Sequence, residues 1–360
     1  MSRGHKVKSM NTYGYSSSRN KPRVLFVIPG IEKNEFQMPF SRRFARFAQT
    51  YGVDSETFFL SSRVSVWKLL CECRNFIAKQ REFKPDFVHA QYGTVTALFC
   101  VLLTRCPVLI TFRGSDLNPC PGGKFFRTWL SHVFSKVSAR FAAFIFCVSR
   151  GLTEHIPSSV CCPVRVDPSG VDDSSFFPRS SVASRNKLGI DLDIPVVLFN
   201  AGKSPEVKRL DLARQAFVCA QKSIPSAQMV ILAGEIAPDL IPYYMSAADC
   251  LLVTSDYEGS PTVVQEAMAC NLVVVSLDVG DVRERLHYVV PSFIVRRDVS
   301  SIAAGICQAL AVRIRSNGRE HLGVCSLHVQ LRLYRSVLRR LLSRRCAGGR
   351  SRSAKMTSSY

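Results

Sequence analysis

Residues 255–271 read SDYEGSPTVVQEAMACN and set two carboxylates, Glu258 and Glu266, eight positions apart around a Gly259-Ser260-Pro261 turn. The apolar run DCLLVTSDYE reads as a strand ending at Glu258, TVVQEAMAC as a helix opening at Thr262, and LVVVSLDVG (272–280) as the next strand. Strand, turn, helix and strand make a parallel βαβ unit, which puts the turn at the carboxyl edge of a sheet. The first amides of such a helix have no partner inside it and lie at the positive end of its dipole, so they suit a phosphate. Glu266, one turn into the helix, can accept two hydrogen bonds from a vicinal diol such as a ribose, and Glu258 can hold further hydroxyls from the strand side. A diphosphate between two polyols is the ligand this arrangement predicts. The plainer alternative makes Glu258 a loop residue and Glu266 part of a solvated helix face.

The same alternation extends in both directions. Upstream lie the strand VVLFNAG (196–202), a helix around LDLARQAFVCAQKS, the strand MVILAG (229–234) and a helix near YYMSAAD, which complete one α/β unit. A turn-rich stretch, VDPSGVDDSSFFP (166–178), precedes it, with the linker expected near 175–190. Before that, VLFVIPG (24–30), SETFFL, DFVHA (86–90), VLITF (108–112) and FIFCVS (144–149) read as strands separated by helical stretches. The fold class is α/β with two doubly wound units, which a chain of 360 residues has the length to form. The expected boundaries are a disordered basic tail at 1–20, an N-terminal domain at 21–178, a C-terminal domain at 179–326, an amphipathic helix at 327–345 and a disordered tail at 346–360.

Lys203 leaves the strand ending at Gly202, and Lys208 and Arg209 open the following helix, so their charges can converge on the same crevice as the Pro261 turn. The helix PFSRRFARFAQTY carries Phe40, Phe44, Phe47 and Tyr51 on one stripe, with Arg42, Arg43 and Arg46 off it. Two readings stand: an aromatic face on the N-terminal sheet with solvated arginines, or a basic surface seated on anionic lipid. The helix at 327–345 has its own stripe, Leu331, Tyr334, Leu338, Leu341 and Leu342, and is expected to pack back across the domains.

With 48 basic against 27 acidic residues, the chain has a formal charge of +21 and an affinity for something anionic. A nucleic-acid module with interleaved aromatics is not found, so no nucleic-acid partner is expected. The 14 cysteines lack CxxC spacing with nearby histidines, and they read as thiols of a reducing cytoplasm rather than as a zinc site. VLFVIPG is too short for a signal peptide's apolar region, and TALFCVLL (96–103) is too short to span a bilayer. The expected location is cytoplasmic, including the inner face of the cell membrane.

EGSPTVVQEAMACNLVVVSLDVGDV resembles the Glu-x7-Glu signature of the retaining glycosyltransferases of family 4 (glycosyl transferases group 1), which have the GT-B fold. KPDFVHAQYGTVTAL, LITFRGSDL, FIFCVSRGL, VDPSGVDDSSFFP, AGKSPEVKRLDLARQA and YYMSAADCLLVTS match in order, so the resemblance covers most of residues 23–286. It implies two Rossmann-like domains facing across a cleft, a nucleotide sugar as donor and a glycan or lipid-linked acceptor. By the same resemblance Glu266 holds the ribose and Glu258 contacts the donor sugar. Amides around Ser260, Thr262 and Val263, with Lys203 and Arg209 or Lys208, neutralise the diphosphate. Neither cofactor nor metal is implied.

The sequence departs from the family pattern at Arg113 and Gln91, where histidine is common, and in the thin loop after the first strand, where Gly30 is the donor-side glycine. His89, Arg113 and Asp116, at strand ends expected to face the cleft, are the N-terminal catalytic candidates. A nucleotide-sugar 2-epimerase on the same scaffold, a basic nucleic-acid binder and a scaffold that has lost catalysis are the alternatives.

Overall fold

A computed structural model describes residues 21–34, 37–62, 65–118, 125–202, 204–234 and 236–356. The tail expected at 1–20 and the last four residues of the tail expected at 346–360 fall outside the described residues, while 346–356, expected to be disordered, are helical. In the N-terminal half, β1 (Arg23–Pro29), α1 (Pro39–Ala48), β2 (Asp54–Leu60), α2 (Val66–Phe83), β3 (Phe87–Ala90), α3 (Thr94–Leu103), β4 (Val108–Phe112), α4 (Phe125–Arg140), β5 (Phe144–Cys147), α5 (Arg150–Thr153) and β6 (Val164–Val166) alternate. Their strands form one parallel sheet in the order β2-β1-β3-β4-β5-β6. Residues 24–28 of β1 are fully buried, because helices cover both sheet faces. Leu25 and Val27 pack with Phe76 and Phe99 on one side, while Val24, Phe26 and Ile28 pack with Phe44 on the other.

The C-terminal half follows as α6 (Ser181–Leu188), β7 (Val196–Gly202), α7 (Pro205–Lys208), α8 (Leu210–Gln221), β8 (Gln228–Ala233), α9 (Ile241–Ala247), β9 (Cys250–Val253), α10 (Thr262–Ala269), β10 (Val273–Leu277), α11 (Val282–Leu286), β11 (Ser292–Val295) and α12 (Val299–Val312). Its parallel sheet runs β11-β10-β9-β7-β8. The order reverses between β7 and β9, as it does between β1 and β3 in the first sheet. In open α/β sheets such reversal points open the crevices where ligands bind.

Two readings need correction. The stretch expected to be linker holds α6, whose Ser180 cap accepts the Ala183 amide. In addition, β9 stops at Val253, so Glu258 lies in a loop rather than at a strand end. Within the span expected for the second domain, β11 and α12 follow β10, the latter capped by Asp298, which accepts the Ser301 amide at 2.7 Å.

A last helix, α13 (Leu327–Met356), runs past the expected end at 345. The chain enters it by a bridge in which Val171 donates to Cys325 at 2.7 Å and Leu327 donates to Val171 at 2.8 Å. Leu327, Leu331, Tyr334 and Leu338 are then buried against Val24, Phe26, Phe44 and Phe146 of the N-terminal half. Burying each of these leucines contributes roughly 2 kcal/mol, so the second half of the chain completes the core of the first.

The arginines of α1 do not form a lipid-facing set. Arg42 donates to the carbonyls of Ile31, Glu32 and Gln37 at 2.6, 2.9 and 2.7 Å and lies over Phe59. Arg43 turns inward, with a buried Nη1, and Arg46 remains exposed. Phe44 and the partly buried Phe47 and Tyr51 pack in the core beside α13, as the aromatic stripe suggested.

Candidate active site

The loop 254–261 crosses the carboxyl edge of the second sheet at its reversal point. Thr254 Oγ1 donates to the carbonyls of Lys208 and Arg209 at 2.9 and 3.1 Å, and the Asp256 amide donates to Val207 at 2.9 Å. These bonds tie the loop to the α7 turn and bring Lys208 Nζ onto the Glu258 carboxylate, which also accepts from Ser255 Oγ at 2.8 Å. Lys208 is therefore the described cation set against Glu258. Arg209, held at φ 55°, pairs instead with Asp211 at 2.9 Å and Asp256 at 3.2 Å, and these partners raise its pKa. Lys203 lies outside the described residues.

Pro261 caps α10, and Val264 donates back to its carbonyl at 3.0 Å. The amides of Thr262 and Val263 head the helix with no acceptor among the described residues, as expected of a first helical turn. Ser260 Oγ donates to Asp281 at 2.9 Å and accepts from Gln265 at 2.8 Å, and Arg285 closes the network onto Asp281 at 2.8 Å. The turn is thus fixed through Ser260 by side chains of α10 and of the segment that follows β10.

Glu266 is 8% exposed on the second turn of α10. Burial lifts its carboxyl from 4.5 to about 7, and the Arg43 guanidinium partly opposes the shift. Arg43 comes from α1 in the other half of the chain. Its part here was missed in the sequence, because its neighbours on α1 are apolar or solvated and nothing local marks it as facing another domain.

The two halves touch backbone to backbone at the loop. A Cβ on Gly259 would stand 2.3 Å from the Arg113 carbonyl, one on Gly114 would meet Gly259 Cα at 3.2 Å, and one on Gly280 would meet the Gly259 carbonyl at 2.9 Å. Three loops can approach this closely because none carries a side chain there. Gly30, across the first sheet's reversal point, has φ 133°, and a Cβ would lie 2.6 Å from Gln37 Oε1, so this turn also requires glycine.

The N-terminal candidates are arranged differently from the expectation that all three face the cleft. His89 is 1% exposed, its Nδ1 2.8 Å from the Tyr334 hydroxyl and its Nε2 2.8 Å from Thr111 Oγ1. Burial, with Arg113 nearby, drops its pKa to about 3, so it is a neutral core residue under α13. Asp116 is fully buried and accepts the amides of Gly93, Arg113 and Gly114 at 2.9 Å. Burial raises its pKa and those bonds offset part of the rise. Its carboxylate holds the 113–116 loop to the start of α3. Arg113 donates to Gln91 O, Gln91 Oε1 and Ser169 Oγ at 3.0, 2.7 and 3.0 Å, and burial lowers its pKa to about 10, leaving it a cation. Arg113 and Gln91, the two departures from the family pattern, are hydrogen-bonded to each other.

Asp172, Asp173 and His328 stand together near the start of α13. Ser174 and Ser175 occupy Asp172, while Ser326 and His328 occupy Asp173, so their contacts are explained by holding the crossing in place.

Two parallel α/β halves that meet at a glutamate-bearing loop and a helix start define a GT-B enzyme. The chain belongs to the group 1 glycosyltransferases: residues 23–169 match the family described as glycosyl transferase 4-like domain, and residues 191–311 match glycosyl transferases group 1. It is 26% identical over 223 residues to TuaC of Bacillus subtilis (strain 168), named for a glycosyltransferase role in teichuronic acid biosynthesis. That match covers 57% of this chain and 56% of the relative, so the chain spans about half the length of the curated relative it matches. Among solved structures, sucrose-phosphate synthase from Thermosynechococcus elongatus is similar at a TM-score of 0.73 and 17% identity, over 90% of this chain and 99% of that one. HepE of Anabaena, solved with UDP and glucose, is similar at 0.65 and 15%, over 88% and 98%.

Proposed function

We propose that this glycosyltransferase moves a sugar from a nucleoside diphosphate sugar, with retention at the anomeric carbon, to a glycan or lipid-linked acceptor in surface polysaccharide or glycolipid assembly. The observation that carries this reading is the loop 254–261, where Lys208 on Glu258, the leading amides of α10 and Glu266 follow one another along one edge of the sheet. UDP-sugars are the first donors to test, because HepE was solved with UDP and glucose.

In this reading Glu266 accepts the ribose hydroxyls, Glu258 contacts the donor sugar, and the amides of Ser260, Thr262 and Val263 receive the diphosphate. Lys208, with Lys203 and Arg209, offsets charge as the C1–O bond breaks and its electron pair passes to the departing diphosphate. The acceptor oxygen bonds C1 on the same face, and its proton goes to the leaving phosphate oxygen. With His89 in the core and Asp116 held by amides, neither offers a base to the acceptor, which supports a step in which the leaving group takes the proton. Preorganised donors of this kind are worth roughly 3 kcal/mol each in the transition state. Neither metal nor cofactor is required.

No helix among the described residues is long and apolar enough to cross a membrane. We place the enzyme in the cytoplasm, at the inner membrane face, where a lipid-linked acceptor is presented. A thermal-shift screen with UDP-, GDP- and ADP-sugars, repeated on Glu266→Ala, tests the donor assignment. Stabilisation by a nucleotide sugar in the wild type and its loss in the variant is the expected result, and no response to any of them overturns the reading. A 2-epimerase would convert the donor with no acceptor present, and product analysis of that mixture separates the two activities.

A further inference from the structure

Of the 40 residues from His321 to Tyr360, none is Asp or Glu and nine are Arg or Lys. The described part of that segment places four of these cations in one groove. An open cavity of about 520 Å³ lies between the end of α1 and α13, lined by Tyr51, Arg332, Arg335, Arg339 and Arg340 with two serines. Arg332, Arg339 and Arg340 are exposed. The Arg335 guanidinium lies over Gly52, and its buried Nε has no partner among the described residues. Asp173, near the start of α13, is already held by His328 and Ser326. A cluster of like charges with an unmet donor is unfavourable alone and is relieved by an anion carrying several oxygens.

We propose that this groove is a docking site for the phosphates of anionic phospholipid headgroups. The spacing of Arg332, Arg335 and Arg339 lines them along one helix face, a straight stripe suited to a plane of headgroups. No open aromatic face lines the groove for stacking bases, because Tyr51 bonds His328 and lies against its ring, so lipid is favoured over nucleic acid. The site lies on the face of the N-terminal half covered by α1 and α13 and uses none of the donor-site residues. It depends on the proposed function for its purpose alone, which is to keep the acceptor side at the bilayer.

Cosedimentation of the full chain with phosphatidylcholine vesicles, with and without phosphatidylglycerol, tests it. The variant is Arg332→Gln/Arg339→Gln/Arg340→Gln, and a charge-matched control is Arg46→Gln/Arg214→Gln/Lys222→Gln. Wild type and control are expected to partition onto phosphatidylglycerol vesicles, while the groove variant falls by on the order of a hundredfold, about fivefold per arginine. Thermal stabilisation by UDP-glucose, measured on the same samples, stays equal in all three. A change there reports on the donor assignment and not on the groove. The proposal is overturned if the groove variant partitions like wild type, if neutral vesicles bind as well, or if control and groove variant fall equally. It is also overturned if single-stranded RNA is retained more tightly than vesicles, or if inorganic phosphate stabilises the chain through these arginines without vesicle binding.

Discussion

The positive charge of Arg43 on α1 acts on Glu266 of α10 and partly opposes the burial that raises the Glu266 carboxyl to about 7. One half of the chain thus supplies a countercharge to the residue that the other half is proposed to use for the ribose.

The first prediction follows from the raised carboxyl. Its folded pKa, about 7, lies above the ordinary 4.5, so the folded state holds the proton more tightly. The stabilisation is fully present below 4.5 and is lost as pH rises through 7, and it amounts to roughly 3 kcal/mol at most. Melting curves between these pH values should show this loss in the wild type, and Glu266→Gln should flatten that part of the profile. Donor affinity should run the other way, rising as the carboxylate ionises.

Replacing Arg43 by Met removes the countercharge and also the buried Nη1 that has no hydrogen-bond partner among the described residues. The midpoint of the Glu266-dependent transition should move to higher pH, with stability at pH 5 changed by less than about 1 kcal/mol. An unmoved midpoint would show that the two groups do not interact.

Gly259→Ala sets a Cβ 2.3 Å from the Arg113 carbonyl, and that atom is backbone that cannot swing aside. The two halves must separate, at a cost of about 1–3 kcal/mol by analogy with overpacked cores. Small-angle scattering should show a larger radius of gyration than the wild type, accompanied by loss of transfer.

Lys208→Ala leaves Ser255 as the one partner of the Glu258 carboxylate among the described residues. Transfer should slow about a hundredfold in kcat with little change in KM, because the cation acts on charge that develops as the donor bond breaks. Steady-state kinetics with the donor found in the thermal-shift screen provide the check.

Tyr334→Phe removes the hydroxyl bonded to His89 in the closed aromatic core. It should cost about 1 kcal/mol in denaturant melts and leave the pH dependence of transfer unchanged, because His89 stays neutral at every working pH. A shifted activity profile would return His89 to the reaction.

Much of the architecture was readable from local pattern. Continuously apolar runs such as VLFVIP mark strands covered on both faces, and Gly259-Ser260-Pro261 marks the entry to α10. Asp298 was a usable helix signal that went unread: its side chain caps α12 three residues before Ser301. The half-buried SFIV of β11 carries a weaker apolar signal than the inner strands. Contacts set by docking were not readable. His89 looks like a strand-end residue until Tyr334, 245 positions later, covers it, and Arg43 looks solvated until α10 stands opposite. Sequence shows which face of an element is apolar, but which distant element will cover it is settled only when the two sheets come together.

The route of α13 also bears on synthesis. Because Leu331, Tyr334 and Leu338 fill the N-terminal core, that half remains short of its inner wall while the ribosome is still making the second sheet. The half translated first is therefore completed late, and a polypeptide cut before α13 would leave Phe26, Phe44 and Phe146 open to chaperones.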